Sequence, residues 1–597
     1  MAAGRWLSAL GMVVACVEAV AATYYVAPNG SDYSSGLWQA SPFRTIQKAM
    51  DSAVAGDIVY VRGGVYREQV DVQRGGGSSG NPVRVQNYNG EIAVIKGSEV
   101  VTGWTRHSGS VWKKTGWLAN SQQVFVDFDD VNPSAGPKPL QQIGMPSSYY
   151  TSWEYNAPVG SGLSSMVPGS FWYDGPAATL YVWLADGSDP NGHVIEASVR
   201  RRLFFMARPW IVLDGLRFRH SNGSAFAQQT AAVEMSSNSV VQRCDIQYAD
   251  FSGISMGYLQ TNTQFLDSVA SNNGAVGVSA PATSNFRVAG NTLNANNNRN
   301  FNPLWHAGGF KAATKAYGVV ESNLVAYNNG SGIWFDYANS GMPIVIRNNY
   351  IHSNGPKDSG IFFEVSKNGL IYNNVIANNT RRGIYISASD NTRVLNNTVT
   401  RISGHAGIEL GGMPRDGATL TNNQMLNNIV SHGATTQDVM IAAPNGGTIQ
   451  GNTSNYNLIW RPNAAIRLHS GTAYYDLPRW RTATGQDVNS LSADPLFMTP
   501  TAAPAAANFQ LQSASPAIDR GLNLAGTVER DFLGALRPGG VAYDIGAFEA
   551  GATPPATSEP APTEPTPTEP APTEPAPTEP EPTKPAPIKG KGRTKPR

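Results

Sequence analysis

Along the middle of the chain, apolar and polar side chains alternate in short runs that recur. Glycine-apolar pairs stand at Gly253-Ile254, Gly277-Val278, Gly309-Phe310, Gly332-Ile333, Gly360-Ile361, Gly383-Ile384 and Gly407-Ile408, separated by 24, 32, 23, 28, 23 and 24 residues. Runs containing Asn-Asn follow most of them: Arg347-Asn348-Asn349-Tyr350, Tyr372-Asn373-Asn374-Val375, Leu395-Asn396-Asn397-Thr398 and Leu426-Asn427-Asn428-Ile429. A step in the low twenties, holding two or three alternating strands ended by Gly or Asn, matches one coil of a right-handed parallel β-helix. Side chains then alternate inward and outward, and equivalent positions on successive coils stack about 4.8 Å apart. Asn tolerates a left-handed backbone at a turn and, when stacked, hydrogen-bonds to the coils above and below. The prediction is an all-β solenoid in which the asparagines are structural.

Open solenoid ends are edges and need covers. Ser41-Pro42 reads as a helix start, and Ile46, Ala49, Met50 and Ala53 fall at helical spacing before a strand at Asp57–Val61, predicting an N-terminal helix cap. At the other end Asp494–Phe497, Ser515–Asp519 and Tyr543–Glu549 read as a closing segment. Between Trp104 and Arg200 the repeat gives way to aromatic-rich alternation, such as Ser170–Asp174 and Thr179–Leu184, predicting an inserted β-sandwich-like module. The expected divisions are a leader at 1–22, a cap and first coils at 23–103, the insert at 104–200, the main β-helix at 201–490, the closing segment at 491–550 and a tail at 551–597.

Charge narrows the function. With 44 basic and 43 acidic residues the formal net charge is +1, and charged residues make up 15% of the chain, which excludes an electrostatic nucleic-acid binder. No apolar run after the N-terminus reaches the ~18 residues of a membrane span. The two cysteines, Cys16 and Cys244, exclude a disulfide framework. Arg5, the apolar stretch Trp6–Val17 and the small residues Ala19–Ala22 read as a secretory signal, placing the protein outside the cell. An alternative takes Val13-Val14-Ala15-Cys16 as a lipobox with Cys16 lipidated. The tail repeats Thr-Glu-Pro-Ala-Pro and ends basic, the pattern of a polyproline II spacer whose end contacts cell-surface or matrix polymer.

The repeat register also yields a surface map. Residues two and four places after each glycine share the outward face: Lys311 with Ala313, Trp334 with Asp336, Phe362 with Glu364, Tyr385 with Ser387, and Glu409 with Gly411. Asp336 and Glu364 share one offset on adjacent coils, so their carboxyl groups are expected about 5 to 6 Å apart, near the separation in retaining glycosidases. In that chemistry one carboxylate attacks the anomeric carbon while the other protonates the leaving oxygen and then activates water. Trp334, Phe362 and Tyr385 would wall a sugar ring, and Lys311 would hold the nucleophile ionised. His306 borders the groove, Arg382 is a further substrate-binding candidate, and His405 and Glu409 lie toward a neighbouring sugar subsite. The spacing of His and acidic residues suits no transition metal, so no obligatory metal or cofactor is expected, with calcium entering only for a lyase.

The segments Gly332-Ile333-Trp334-Phe335-Asp336 and Ile361-Phe362-Phe363-Glu364-Val365, preceded by Gly308-Gly309-Phe310-Lys311, resemble the catalytic segments of β-helical glycoside hydrolases of the family 120 β-xylosidase type. That family also interrupts its β-helix with a β-sandwich. The resemblance implies Asp336 as nucleophile and Glu364 as acid/base, acting on a poly- or oligosaccharide. More broadly, the chain from Tyr24 to about Ala550 resembles the secreted pectin-lyase-like β-helix proteins. Two other classes remain open. One is a polysaccharide lyase using Lys311, Arg347, His352, Arg381 or Arg382 as base on a uronate polymer. The segments Ala307–Lys311 and Ala326–Gly332 are similar to family 9 pectate lyases, although Gly308, Gly330 and Ser331 stand where those enzymes place calcium-binding aspartates. The other is a non-catalytic glycan-binding envelope protein.

Overall fold

The structure is a computed structural model that describes residues 21–133, 139–156, 158–226, 230–356, 359–417, 419–441, 451–470, 473–499 and 505–553. Of the leader and the tail expected at 1–22 and 551–597, only residues 21–22 and 551–553 are among them. Three long sheets wind round a common core. One of 13 strands runs from Thr23–Val26 to Thr453–Asn455, a second of 13 from Val70–Val72 to Ala473–Tyr475, and one of 12 from Gly64–Tyr66 to Leu458–Trp460. Pairing within them is parallel except for the final hairpin, Leu468–Ser470 with Ala473–Tyr475.

Alternation fills the interior: Ile333 and Phe335, Ile361 and Phe363, Ile384 and Ile386 are fully buried in one continuous core. The repeat glycines are set by close approach. A Cβ on Gly332 would meet the Gly360 carbonyl oxygen at 2.6 Å, and one on Gly360 would meet that of Gly383 at 2.8 Å. The Asn-Asn pairs divide two tasks. Asn348, Asn373, Asn396 and Asn427 take the left-handed backbone, with φ of 56°, 53°, 48° and 57°. Their successors Asn349, Asn374, Asn397 and Asn428 turn inward and form a ladder, each side-chain N–H donating to the next side-chain oxygen at 3.0–3.1 Å.

The N-terminal cap forms four residues later than Ser41-Pro42 suggests. The helix spans Ile46–Ser52, with Thr45 accepting from the Lys48 N–H and the Glu68 carboxylate accepting from the Ile46 and Gln47 N–H groups at 2.9 and 3.0 Å. Phe43 instead bridges Val26. At the far end the plug is a helix, Leu477–Thr484, which buries Leu477 and Trp480 in the main core. The segment read as closing that end lies elsewhere. It folds back along the flank, packing Phe497, Ala517, Ile545 and Phe548 on Leu324, Tyr350, Val375, Ile429 and Leu458. The left-handed asparagines hold it: Asn373 donates to the Arg530 carbonyl at 2.5 Å, Asn396 to Asp544 at 2.9 Å and Asn427 to Leu522 at 2.8 Å.

The chain leaves the solenoid after Ala93–Lys96 and rejoins it at Phe204–Met206. Between them, a three-stranded sheet (Ser98–Val100, Val124–Val126, Ile195–Ser198) and a five-stranded sheet share a core that includes Val124, Phe171, Leu180 and Ile195. The first of these strands begins six residues before Trp104, because Ser98–Val100 pairs with Ile195–Ser198 rather than with a coil. Buried Lys96 anchors the junction through Asp130 and Glu196, at 2.7 and 2.8 Å.

Candidate active site

The second 13-stranded sheet carries the outward columns. Lys311 pairs with Trp334, Trp334 with Phe362, Phe362 with Tyr385, and Tyr385 with Glu409. In the parallel column, Ala313 pairs with Asp336, Asp336 with Glu364, and Glu364 with Ser387. The two acids therefore stand on adjacent strands in direct register, about 4.8 Å apart at the backbone. Each side chain keeps a fifth of its surface exposed, 20% for Asp336 and 19% for Glu364. Small neighbours, Ala313 and Ser387, flank the pair.

The acids have different surroundings. The Lys311 ammonium sits 3.1 Å from Asp336 and 3.4 Å from the Trp334 ring centroid, and donates to the Trp305 carbonyl at 2.5 Å. Glu364 is engaged by the Arg415 guanidinium. Burial and then the charge of Asp336 push the Glu364 carboxyl above its ordinary range, opposed by Arg415 and Lys311.

The aromatic column differs from its expected role. Trp334 and Phe362 stack at 5.2 Å and Phe362 and Tyr385 at 5.1 Å. Trp334 and Phe362 are only 3% and 8% exposed. Their faces are turned to one another rather than to a sugar, because the coil rise is close to the stacking distance of rings. The ladder ends on a cation at each side, Lys311 over Trp334 and Arg382 4.1 Å from the Tyr385 centroid. Arg382 and Glu409 do not line an open subsite. They form a buried ion pair joined by His405 Nδ1 at 2.8 Å from Glu409. Although burial pushes Glu409 up, His405 and Arg382 bring it below its ordinary range.

His306 stands at the rim, stacked on Phe251 at 5.4 Å. Burial and the nearby Lys311 charge push its imidazole down to about 3. Of the other bases considered for a lyase, Arg347 and His352 lie on the two remaining sheets, in Ile344–Arg347 and Tyr350–His352. Arg347 pairs with Glu321 there. Register keeps both away from the acid pair and Arg382 is committed to Glu409; Arg381 immediately precedes the strand Arg382–Ser387, and Lys311, 3.1 Å from Asp336, is the candidate base beside the acids.

A groove of about 530 Å³ opens from Lys311 and Ala313 toward the N-terminal coils, lined by His306, Ser279, Glu234 and Tyr258 among others. The insert reaches its wall. Asn156 donates to the Asn300 carbonyl and Asn302 to the Glu154 carbonyl, at 3.1 and 2.9 Å. Tyr150 and Tyr155 pack on Phe301, with Trp305 against them. The module thus holds the loop whose Trp305 carbonyl receives Lys311.

Arg415 escaped the reading of the sequence. It sits on the loop Gly412–Gly417, whose terminal glycines have φ of 84° and 77°. The Tyr337 hydroxyl donates to Asp416 at 2.6 Å and Lys367 to the Gly417 carbonyl at 3.1 Å, drawing the loop over the acids. A charged Arg-Asp pair between two glycines was the visible signal. Among the described residues no three His, Cys, Asp or Glu side chains gather in a cluster able to hold a metal ion.

Residues 297–473 match the family described as right handed beta helix region. The fold is a right-handed parallel β-helix. A solved structure of XylC in complex with xylose superimposes at a TM-score of 0.61 with 16% identity, covering 88% of this chain and 98% of that one. Among curated proteins, the uncharacterized protein YwoF of Bacillus subtilis is 43% identical over 76 residues, 13% of this chain and 16% of that protein. The pectate lyase PEL9 of Emericella nidulans is 39% identical over 82 residues, 14% of this chain and 20% of that protein. The matched stretches thus span a fifth or less of these two relatives.

Proposed function

We propose that this protein is an exported carbohydrate-active enzyme, and that it is a retaining glycoside hydrolase in which Asp336 is the nucleophile and Glu364 the acid/base. The observation that carries the reading is the direct register of two carboxyl groups, each a fifth exposed, on adjacent strands with different surroundings. A backbone separation of about 4.8 Å is compatible with the ~5–5.5 Å between carboxyl groups in retaining enzymes. Asp336, beside the Lys311 ammonium, attacks the anomeric carbon as its bond to the leaving oxygen breaks. Glu364 donates its proton to that oxygen. Glu364, now ionised, takes a proton from water as the water oxygen attacks the anomeric carbon and releases Asp336. The groove beside Lys311 provides space for further sugar units, and the likeness to a xylose-bound protein supports a saccharide ligand.

A polysaccharide lyase is the second reading, favoured by Lys311 and by the local match to a pectate lyase. The two are separated by incubation with plant and bacterial polysaccharides. Hydrolysis gives reducing ends without new ultraviolet absorbance, a lyase gives both, and a glycan-binding protein gives neither. Mass spectrometry after exposure to activated fluorosugars tests the assignment directly. A glycosyl adduct is expected on the wild type and not on Asp336→Ala, and an adduct that persists in the variant removes Asp336 from the mechanism.

A further inference from the structure

Among the described residues, Lys311, Arg382, Lys367 and Arg415 all have partners, and the first three each keep one that the chemistry leaves in place. Lys311 is bound to the Trp305 carbonyl and Asp336. Arg382 is buried against Glu409. Lys367 lies 3.5 Å from Asp390 and donates to the Gly417 carbonyl. Arg415 differs, because its carboxylate partner is Glu364, the group that must be protonated before it can act as an acid. A guanidinium offers five donors and no acceptor, and it binds a neutral carboxyl far more weakly than a carboxylate. In the working state Arg415 therefore stands beside the acid pair with its partner's charge removed.

The backbone of Arg415 is placed independently of Glu364. Its loop is fastened independently by Tyr337 to Asp416 and by Lys367 to Gly417, and a third of the Arg415 side chain, 33%, is open to solvent. The nearby acids are engaged elsewhere: Asp416 with Tyr337, and Asp390 with Lys367, Thr419 and Thr421. A planar fork held beside the acid pair, whose carboxylate partner has become neutral, is matched by a carboxylate, which it binds through two parallel hydrogen bonds.

We infer that the substrate is a uronic acid-containing saccharide and that Arg415 receives its carboxylate in place of Glu364. The exchange is self-consistent: an anion beside Glu364 favours its protonated form, so seating the substrate arms the acid. This inference rests on the acid/base reading of Glu364 and adds the substrate class to it.

The test is titration calorimetry on the full chain carrying Asp336→Asn, which blocks turnover by the proposed nucleophile, with and without Arg415→Gln. The ligands are matched disaccharides ending in glucuronic acid or glucose, and in galacturonic acid or galactose. At least one uronic member is expected to bind about tenfold or more tightly than its neutral partner, as a charge-assisted fork implies. In Arg415→Gln that preference falls below about threefold, and in Arg415→Lys it is intermediate. An unchanged melting temperature for both variants excludes a folding defect. Equal binding of the paired ligands, no binding of any uronic ligand, or a preference that survives Arg415→Gln overturns the inference. The hydrolase reading fails separately. A uronate preference in a protein that releases no reducing ends, or releases them with new ultraviolet absorbance, sinks only the hydrolase, and an Asp336 adduct without a uronate preference sinks only the role of Arg415.

Discussion

Two columns of side chains rise through this solenoid with the same step and opposite rules. In the corner ladder every coil contributes the same residue: Asn349, Asn374, Asn397 and Asn428 each satisfy the one before and are satisfied by the one after. On the groove face every coil contributes a different one, so Lys311, Trp334, Phe362, Tyr385 and Glu409 share a column and Ala313, Asp336, Glu364 and Ser387 share the next. Identity between coils makes a support. Difference between coils, held at fixed rise by that support, places unlike groups within reach of one another, which is what acid/base chemistry needs.

The contrast predicts that groove substitutions remove activity and spare the fold. Asp336→Asn should reduce kcat by at least about 10³-fold and Glu364→Gln by about 10²- to 10⁴-fold on whichever glycoside the wild type cleaves. The Glu364→Gln protein should melt no lower than wild type near neutral pH. The folded state raises the Glu364 pKa, so its ionised form is disfavoured there, and stability linked to it falls as pH rises through the ordinary-to-raised window. The partly exposed contact with Arg415 offsets this by no more than about 1 kcal/mol. A large drop in melting temperature for Glu364→Gln would place that residue with the supports instead.

The ladder should behave in reverse. Asn374→Ala leaves the buried Asn349 backbone N–H without its 3.1 Å acceptor and removes the donor that reaches the Ile346 carbonyl at 2.9 Å. At about 1–3 kcal/mol per stranded group, chemical denaturation should show a loss of roughly 2–5 kcal/mol, with kcat per folded molecule little changed. A loss below about 0.5 kcal/mol would show that the ladder is ornamental.

A smaller effect sharpens the groove side. The general acid works protonated, so kcat/KM should fall on the alkaline side at a pH above the ordinary glutamate range. Arg415 opposes that shift, so Arg415→Gln, assayed on a neutral aryl glycoside, should move the alkaline limb higher. A limb that stays in place, or moves down, would show that Arg415 does not act on Glu364.

Most of this register was legible in the sequence, for a physical reason. Where a Cβ on Gly332 or Gly360 would strike the next coil, glycine is forced at one phase of each repeat, and period-two alternation then fixes which residues face outward. Asp336 and Glu364 follow by counting. What counting cannot supply is the behaviour of loops and the fate of ring faces. Arg415 lies 51 residues from Glu364, and only the path of the Gly412–Gly417 loop brings them together. The aromatics were placed in the right column, but the coil rise stacks them on each other. The distal plug was missed although Asp476-Leu477-Pro478 and Gly485 mark a capped helix, because Leu477 and Trp480 alone present too short an apolar stripe to stand out.

The segment that returns along the flank alters how the molecule comes apart. A stack of coils that touch only their neighbours frays one rung at a time from a free end. Here a single strap joins rungs from Leu324 to Leu458, riveted by left-handed asparagines. Unzipping from the C-terminal end must peel that strap first, so the coils bearing the acids open together or not at all.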